Sequence, residues 1–215
     1  MTDNIKAIIF DLDGVLLSTD KYHYIAWKEL ADELEIPFCE KDNEAFRGVS
    51  RMDCMEILVS KKPSLKLSDD QKVALATKKN ERYRALLENI TPAFVDGEVR
   101  NTLCVLRERG YCLAVGSSSK NSRFILEKAS LTDSFDAIVD GNDISRSKPD
   151  PEVFLKAAAA LGAEPLHSAV IEDAEAGLRA AIGGGMLPIA IGEAKGSALA
   201  SISLESFSEL EKIFK

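Results

Sequence analysis

Asp11 and Asp13 stand two positions apart at the end of the apolar run IIF, and Gly14 follows them. Two carboxylates held that close repel unless a cation sits among them. Three other stretches end in side chains of complementary chemistry. AVGSSSKN places Ser117 directly after an apolar run, AVIED ends in Glu172 and Asp173, and SKPDP supplies Lys148. If the fold gathers these ends, four acids share one rim. A hard octahedral ion such as Mg²⁺ takes oxygen ligands and keeps places for water and a substrate phosphate. Asp11, Glu172 and Asp173, with the backbone carbonyl of Asp13, are the candidate metal ligands. With that charge screened, Asp11 can attack phosphorus and form an aspartyl phosphate. Ser117, with backbone N–H groups at the following helix start, would hold the phosphate oxygens, and Lys148 would supply the remaining positive charge. Asp13 is placed to give a proton to the leaving oxygen and take one from the next attacker.

The elements that must position these residues are legible in the periodicity. Ala7–Phe10 is a short apolar run with the character of a strand buried on both faces. From Thr19 to Glu35 the period changes: Trp27, Leu30, Ala31 and Leu34 recur at helical spacing, with Ser18 or Thr19 as candidate caps. Helical spacing continues through Met52, Met55 and Val59 until Pro63. A long polar helix is predicted over 69–89, with Val73, Ala76, Tyr83 and Leu87 on one side. After Thr91-Pro92, strands and helices alternate, with Gly110 and Gly162 as helix stops. Alternation predicts parallel pairing, so the fold class is α/β, a doubly wound parallel sheet with an inserted all-helical cap. The predicted division is 1–16 and 92–215 for the catalytic core and 17–91 for the cap. Pro188 puts the strand LPIAIG near a sheet edge. In an open parallel sheet ligands bind beyond the carboxyl ends of the strands, which is where the acids, Ser117 and Lys148 would collect.

Bulk composition narrows the function. The chain of 215 residues is 46% hydrophobic and 29% charged, with a formal net charge of −8. That balance suits an ordinary globular protein and lacks the basic surface that nucleic acid or an acidic membrane would require. Four cysteines, Cys39, Cys54, Cys104 and Cys112, show no metal-site spacing and read as reduced packing residues. No apolar stretch reaches the roughly 20 residues of a membrane span. The expected compartment is the cytoplasm, the expected partner a small phosphorylated molecule, and the expected state a monomer.

FDLDG, the serine after the second strand, the Lys-Pro loop and IEDAEAG, in that order, resemble the four motifs of the haloacid dehalogenase superfamily of phosphotransferases. The cap stretches STDKYHYIAWKELA, RGVSR and KKNERY, with SSSKN in the core, are similar to the β-phosphoglucomutase family. The resemblance implies a phosphorylated hexose as substrate. It implies interconversion of β-D-glucose 1-phosphate and glucose 6-phosphate, through an aspartyl-phosphate enzyme and β-glucose 1,6-bisphosphate, with Mg²⁺. It implies Asp11 as nucleophile, Asp13 as general acid/base, and Asp11, Asp13, Glu172 and Asp173 at the metal. Ser117, Ser118 and Lys148 would bind the transferring phosphate, and Arg51 the far phosphate. Thr19, His23, Trp27, Arg47, Gly48, Lys79, Ser119 and Asn121 would make further substrate contacts. Departures from the family pattern are Arg47 in place of a common lysine, the extra hydroxyl of Ser118, Leu17-Ser18 at the cap entrance, and Gly183-Gly184-Gly185, which would loosen a helix end. The alternative within the superfamily is a Mg²⁺-dependent sugar-phosphate phosphatase.

Overall fold

The computed structural model describes residues 2, 4–46 and 49–215. Arg47 and Gly48, assigned to the substrate, lie outside the described residues. In chain order, strand β1 (Ala7–Phe10) is followed by helices α1 (Asp20–Glu33), α2 (Glu40–Glu44), α3 (Arg51–Ser60) and α4 (Asp69–Leu87). Then come α5 (Gly97–Glu108), β2 (Cys112–Gly116), α6 (Ser122–Lys128), β3 (Ala137–Val139), α7 (Glu152–Ala160) and β4 (Ser168–Glu172). The chain ends with α8 (Glu175–Gly183), β5 (Leu187–Ala190), β6 (Ile202–Ser203) and α9 (Leu210–Ile213). It divides into two compact units, 1–18 with 90–215, and 19–89.

In the first unit six parallel strands follow the order β3-β2-β1-β4-β5-β6. β1 lies where the order reverses, pairing Phe10 with Val115 on one side and Ile171 on the other. That is the switch point at which open α/β sheets bind ligands. All four β1 residues are buried, as expected of a strand covered on both faces. Under one face Ile9, Ala114 and Val170 pack with Val153, Phe154, Ala157 and Ala158 of α7 and Ala180 and Ala181 of α8. The phenyl ring of Phe10, one residue on, meets Phe207 at 5.7 Å and Phe135 at 6.1 Å. The strand of Pro188 lies near the sheet edge, as its proline predicts. β5 is one place in, and the two-residue β6, unforeseen in the sequence, forms the edge. The glycine run closes α8 regularly: Gly185 adopts φ +73, its N–H reaches Ile182 O at 2.9 Å, and the Met186 N–H reaches Ala181 O at 2.9 Å.

The second unit is all helix. Its core joins Trp27, Leu30, Ala31, Ile36, Phe38, Phe46, Cys54, Met55, Leu58 and Ala76. α4 starts at a capping box made by Ser68 and Gln71. Its inner face differs from the predicted one. Ala76, Lys79, Tyr83 and Leu87 are buried, whereas Val73 is exposed. A lysine takes a core position, and its surroundings show why.

Candidate active site

The first unit builds its site from the ends of paired strands. The β1 ladder runs one residue past the strand, where the Asp11 N–H donates to Ile171 O at 3.0 Å. Gly14 then turns the chain at φ +80, and its N–H donates to Leu17 O at 2.8 Å. A Cβ at residue 14 would overlap the Asp173 carboxyl group, so glycine serves both the turn and the acid beside it. On β4, Glu172 is buried; its Oε2 accepts from the Ala174 N–H at 2.8 Å, and Gly177 of α8 leaves the space its carboxylate fills. Ser117 lies two residues past Val115, the partner of Phe10, so it ends up beside the start of the Asp11–Asp13 turn. Its Oγ accepts from the Ser119 N–H at 3.2 Å, and the Ser119 Oγ accepts from the Asn121 N–H at 3.3 Å. The loop is thus held by its own hydroxyls. The helix behind it has seven residues, so loop amides, more than a helix dipole, are what it presents. The Ser118 Oγ is buried and finds no hydrogen-bond partner among the described residues.

Lys148 joins the parts. Its ammonium forms ion pairs with Asp11 and, at 2.6 Å, with Glu172 Oε1, and lies 4.5 Å from the centre of the Phe154 ring. Burial pulls its pKa down, but Asp11 and Glu172 outweigh burial and hold it above the ordinary lysine value. The acids show the opposite strain. Burial lifts Asp11 to about 7, with Glu172 and Asp13 adding to the rise and Lys148 opposing it. Burial lifts Asp173 to about 8, with Asp11 and Glu172 next in effect. One lysine therefore does not neutralise this group of acids.

Among the described residues, no three acidic, histidine or cysteine side chains stand close enough to hold a metal ion as they lie, because the Lys148 ammonium is the common partner of Asp11 and Glu172. The chemistry of the donor set still fits a hard divalent cation. Every donor is oxygen, and burial together with neighbouring carboxylates raises the pKa of Asp11 and Asp173, a cost that added positive charge would relieve.

The second unit carries a cluster of the other sign. The Lys79 ammonium lies 2.8 Å from His23 Nδ1, 4.7 Å from the Trp27 ring centre and 4.8 Å from that of Tyr83. An ammonium only donates, so Nδ1 accepts and the neutral imidazole carries its proton on Nε2. Burial drives the His23 pKa well below 6.5, with the charges of Lys79 and then Arg51 adding to the fall. Arg51 opens α3 and donates to Asn80 Oδ1 at 2.9 Å. Trp27 is 2% exposed and packs edge-on to Phe46, so its ring supports Lys79 from the core instead of offering an open platform to a sugar. Thr19 is the N-cap residue of α1, its carbonyl accepting from the Tyr22 and His23 N–H groups, but its side chain makes no capping bond. Its hydroxyl bonds Tyr83 OH at 2.7 Å. Tyr83, whose ring stacks on His23 at 3.9 Å, was read from the sequence only as a packing residue. Its place one turn beyond Lys79 on α4 was the available signal.

The sequence-predicted residues thus fall into two groups, each assembled within its own unit. Asp11, Asp13, Ser117, Ser118, Ser119, Asn121, Lys148, Glu172 and Asp173 belong to the first; Thr19, His23, Trp27, Arg51 and Lys79 belong to the second.

Comparison with known proteins agrees with this chemistry. The family model described as haloacid dehalogenase-like hydrolase matches residues 5–185. A β-phosphoglucomutase of Bacillus subtilis (strain 168) is 37% identical over 207 residues, covering 96% of this chain and 92% of the relative. A fructose-1-phosphate phosphatase of Escherichia coli (strain K12) is 28% identical, covering 86% of this chain and 96% of the relative. The crystal structure of a β-phosphoglucomutase from Clostridium difficile superposes with a TM-score of 0.88 at 33% identity, covering 96% of this chain and 93% of that one. The chain belongs to the haloacid dehalogenase-like hydrolase family, in its β-phosphoglucomutase branch.

Proposed function

We propose that this enzyme interconverts β-D-glucose 1-phosphate and glucose 6-phosphate through β-glucose 1,6-bisphosphate. The carboxylate of Asp11 attacks the phosphorus of the bisphosphate, the bond to the sugar oxygen breaks, and Asp13 delivers a proton to that oxygen. The other hydroxyl of the next sugar monophosphate then gives its proton to Asp13 and takes the phosphoryl group from Asp11. Lys148 offsets charge on the transferring group, and Ser117 with the loop through Asn121 orients it. Asp11, Glu172, Asp173 and the Asp13 carbonyl are the residues that would hold Mg²⁺, which when bound supplies positive charge to the acids and to the phosphoryl oxygens. Arg51 and Lys79 hold the phosphate that does not react, with His23 beside them.

The observation that carries the reading is the positive cluster of the helical unit. The Lys79 ammonium stands 2.8 Å from His23 Nδ1, and the charge of Arg51, at the start of α3, adds to burial and Lys79 in lowering the His23 pKa, a concentration of positive charge suited to a phosphate dianion. An enzyme that only hydrolyses a monophosphate has no use for a second phosphate site. The 37% identity to the Bacillus subtilis relative points the same way.

The test supplies β-glucose 1-phosphate, Mg²⁺ and a trace of the bisphosphate, and follows glucose 6-phosphate against free phosphate. Glucose 6-phosphate should predominate; predominant free phosphate would establish the sugar-phosphate phosphatase instead. We further propose a cytoplasmic monomer. No helix among the described residues is long and apolar enough to cross a membrane. Light scattering behind a sizing column should read a mass near 23.4 kDa, and twice that mass would refute the monomer.

A further inference from the structure

Asp140, at the end of β3, is fully buried, and the chemistry above does not use it. Its Oδ1 accepts from the Asn142 backbone N–H at 2.8 Å and from Asn142 Nδ2 at 3.0 Å. Its own N–H donates to Asp143 Oδ2 at 2.9 Å, and Arg123 reaches both acids, Asp143 at 2.9 Å and Asp140 at 3.5 Å. A surface turn needs nothing so enclosed. The purpose is visible in what the turn touches. Beyond the ends of β2 and β3 the ladder continues, with the Ser117 N–H on Val139 O and the Gly141 N–H on Ser119 O, both at 3.1 Å. Asn142 Nδ2, oriented by Asp140, also donates to Lys120 O at 3.0 Å. The approach is so close that a Cβ at Gly141 would overlap the Ser118 carbonyl. Peptide planarity then carries the constraint across the loop. A carbonyl tied to the turn fixes the N–H of the same peptide plane in the opposite direction.

We propose that Asp140 is a positioning residue for the phosphate-gripping loop: its carboxylate locks the Gly141–Asn142 turn, and that turn sets the peptide planes of residues 119–121. This rests on the assignment of that loop to phosphate, and extends it to a residue at the end of β3, two strands away from β1 in the sheet. Asp140 does not touch substrate; it acts through Asn142 and the loop backbone.

The test is calorimetric titration of the Mg²⁺-loaded protein with inorganic phosphate, alongside mutase assays and melting curves. Asn142→Ala, which keeps the buried acid, should weaken phosphate binding and raise the KM for the bisphosphate roughly five- to tenfold, the scale of one or two hydrogen bonds. Its kcat should change less than about threefold. Asp140→Asn keeps the Oδ1 acceptor and should recover most of the affinity that Asp140→Ala loses. Phosphate affinity and KM equal to wild type in Asn142→Ala would overturn the proposal, whatever the melting curves show. If Asp140→Ala fails to fold, Asn142→Ala and Asp140→Asn still decide. A wild-type protein that binds phosphate but makes no glucose 6-phosphate defeats the mutase reading alone.

Discussion

Two lysines are buried among the described residues, one in each unit, and their surroundings are opposite in kind. Lys148 sits between carboxylates, and burial, with the neighbouring acids adding to it, pushes Asp11 up to about 7 and Asp173 up to about 8. Lys79 sits on the faces of Trp27 and Tyr83 and against an imidazole, where burial, and then its own charge and that of Arg51, push His23 down. The same side chain thus reports two environments. The sheet's rim is short of positive charge, and the helical unit has concentrated it. The first suits a metal ion; the second suits a phosphate. The means of holding each lysine differ accordingly, direct ion pairing in one and ring quadrupoles in the other.

Each prediction strikes at one side of that contrast. Asp11→Asn removes the nucleophile while keeping its shape, and should lower turnover by roughly 10⁴-fold or more. The aspartyl phosphate should vanish from mass spectra of the loaded enzyme; activity within tenfold of wild type would mean another group takes the phosphoryl.

Lys148→Met leaves Asp11 and Glu172 buried without their cation and should cost about 3 kcal/mol of stability in denaturant melts. Lys79→Met, made for comparison, should cost nearer 1 kcal/mol because ring contacts and packing survive. Equal costs would erase the distinction between the two lysines. Arg51→Ala should reduce mutase kcat/KM by roughly 10- to 100-fold, the worth of a charged hydrogen bond. Hydrolysis of a small aryl phosphate should change less than about threefold. Matching losses would remove the case for a second phosphate at Arg51.

His23 provides the pH test. Its folded pKa lies well below the unfolded value of 6.5, so the unfolded chain takes up a proton first as the pH falls. The stability tied to neutral His23 is fully present above pH 6.5 and is lost as the pH drops below it. His23→Gln should flatten the melting temperature against pH between 6.5 and 5; an unchanged slope would locate the titration elsewhere. Thr19→Val is the smallest change; it removes the bond to Tyr83 OH and should cost about 1 kcal/mol.

Local rules carried most of the fold. The buried β1 run, the alternation after residue 92 and the helix-ending glycines Gly110 and Gly162, both at positive φ, were all readable because each follows from a few neighbouring residues. Three elements escaped notice. α2 spans five residues, α9 four and β6 two, too short for a period to show. The inner face of α4 was misread at one point, since hydrophobicity alone favours Val73 over Lys79. Lys79 is buried because rings from α1 and α4 lie under its ammonium, a pairing between helices that no local window contains.

Among the candidate site residues, the sequence by itself determined the types and the order: acids after β1 and β4, hydroxyls after β2, a lysine before α7. Parallel topology made their meeting at one rim almost automatic, because every strand of such a sheet ends on the same side. Tertiary structure alone decided who neighbours whom. It put the Lys148 ammonium between Asp11 and Glu172, gave the Thr19 hydroxyl to Tyr83 instead of to the helix start, and set the Gly141–Asn142 turn against Ser119 and Lys120. Those pairings join residues from 22 to 137 positions apart, and their energies depend on burial and distance, quantities that exist only once the chain has folded.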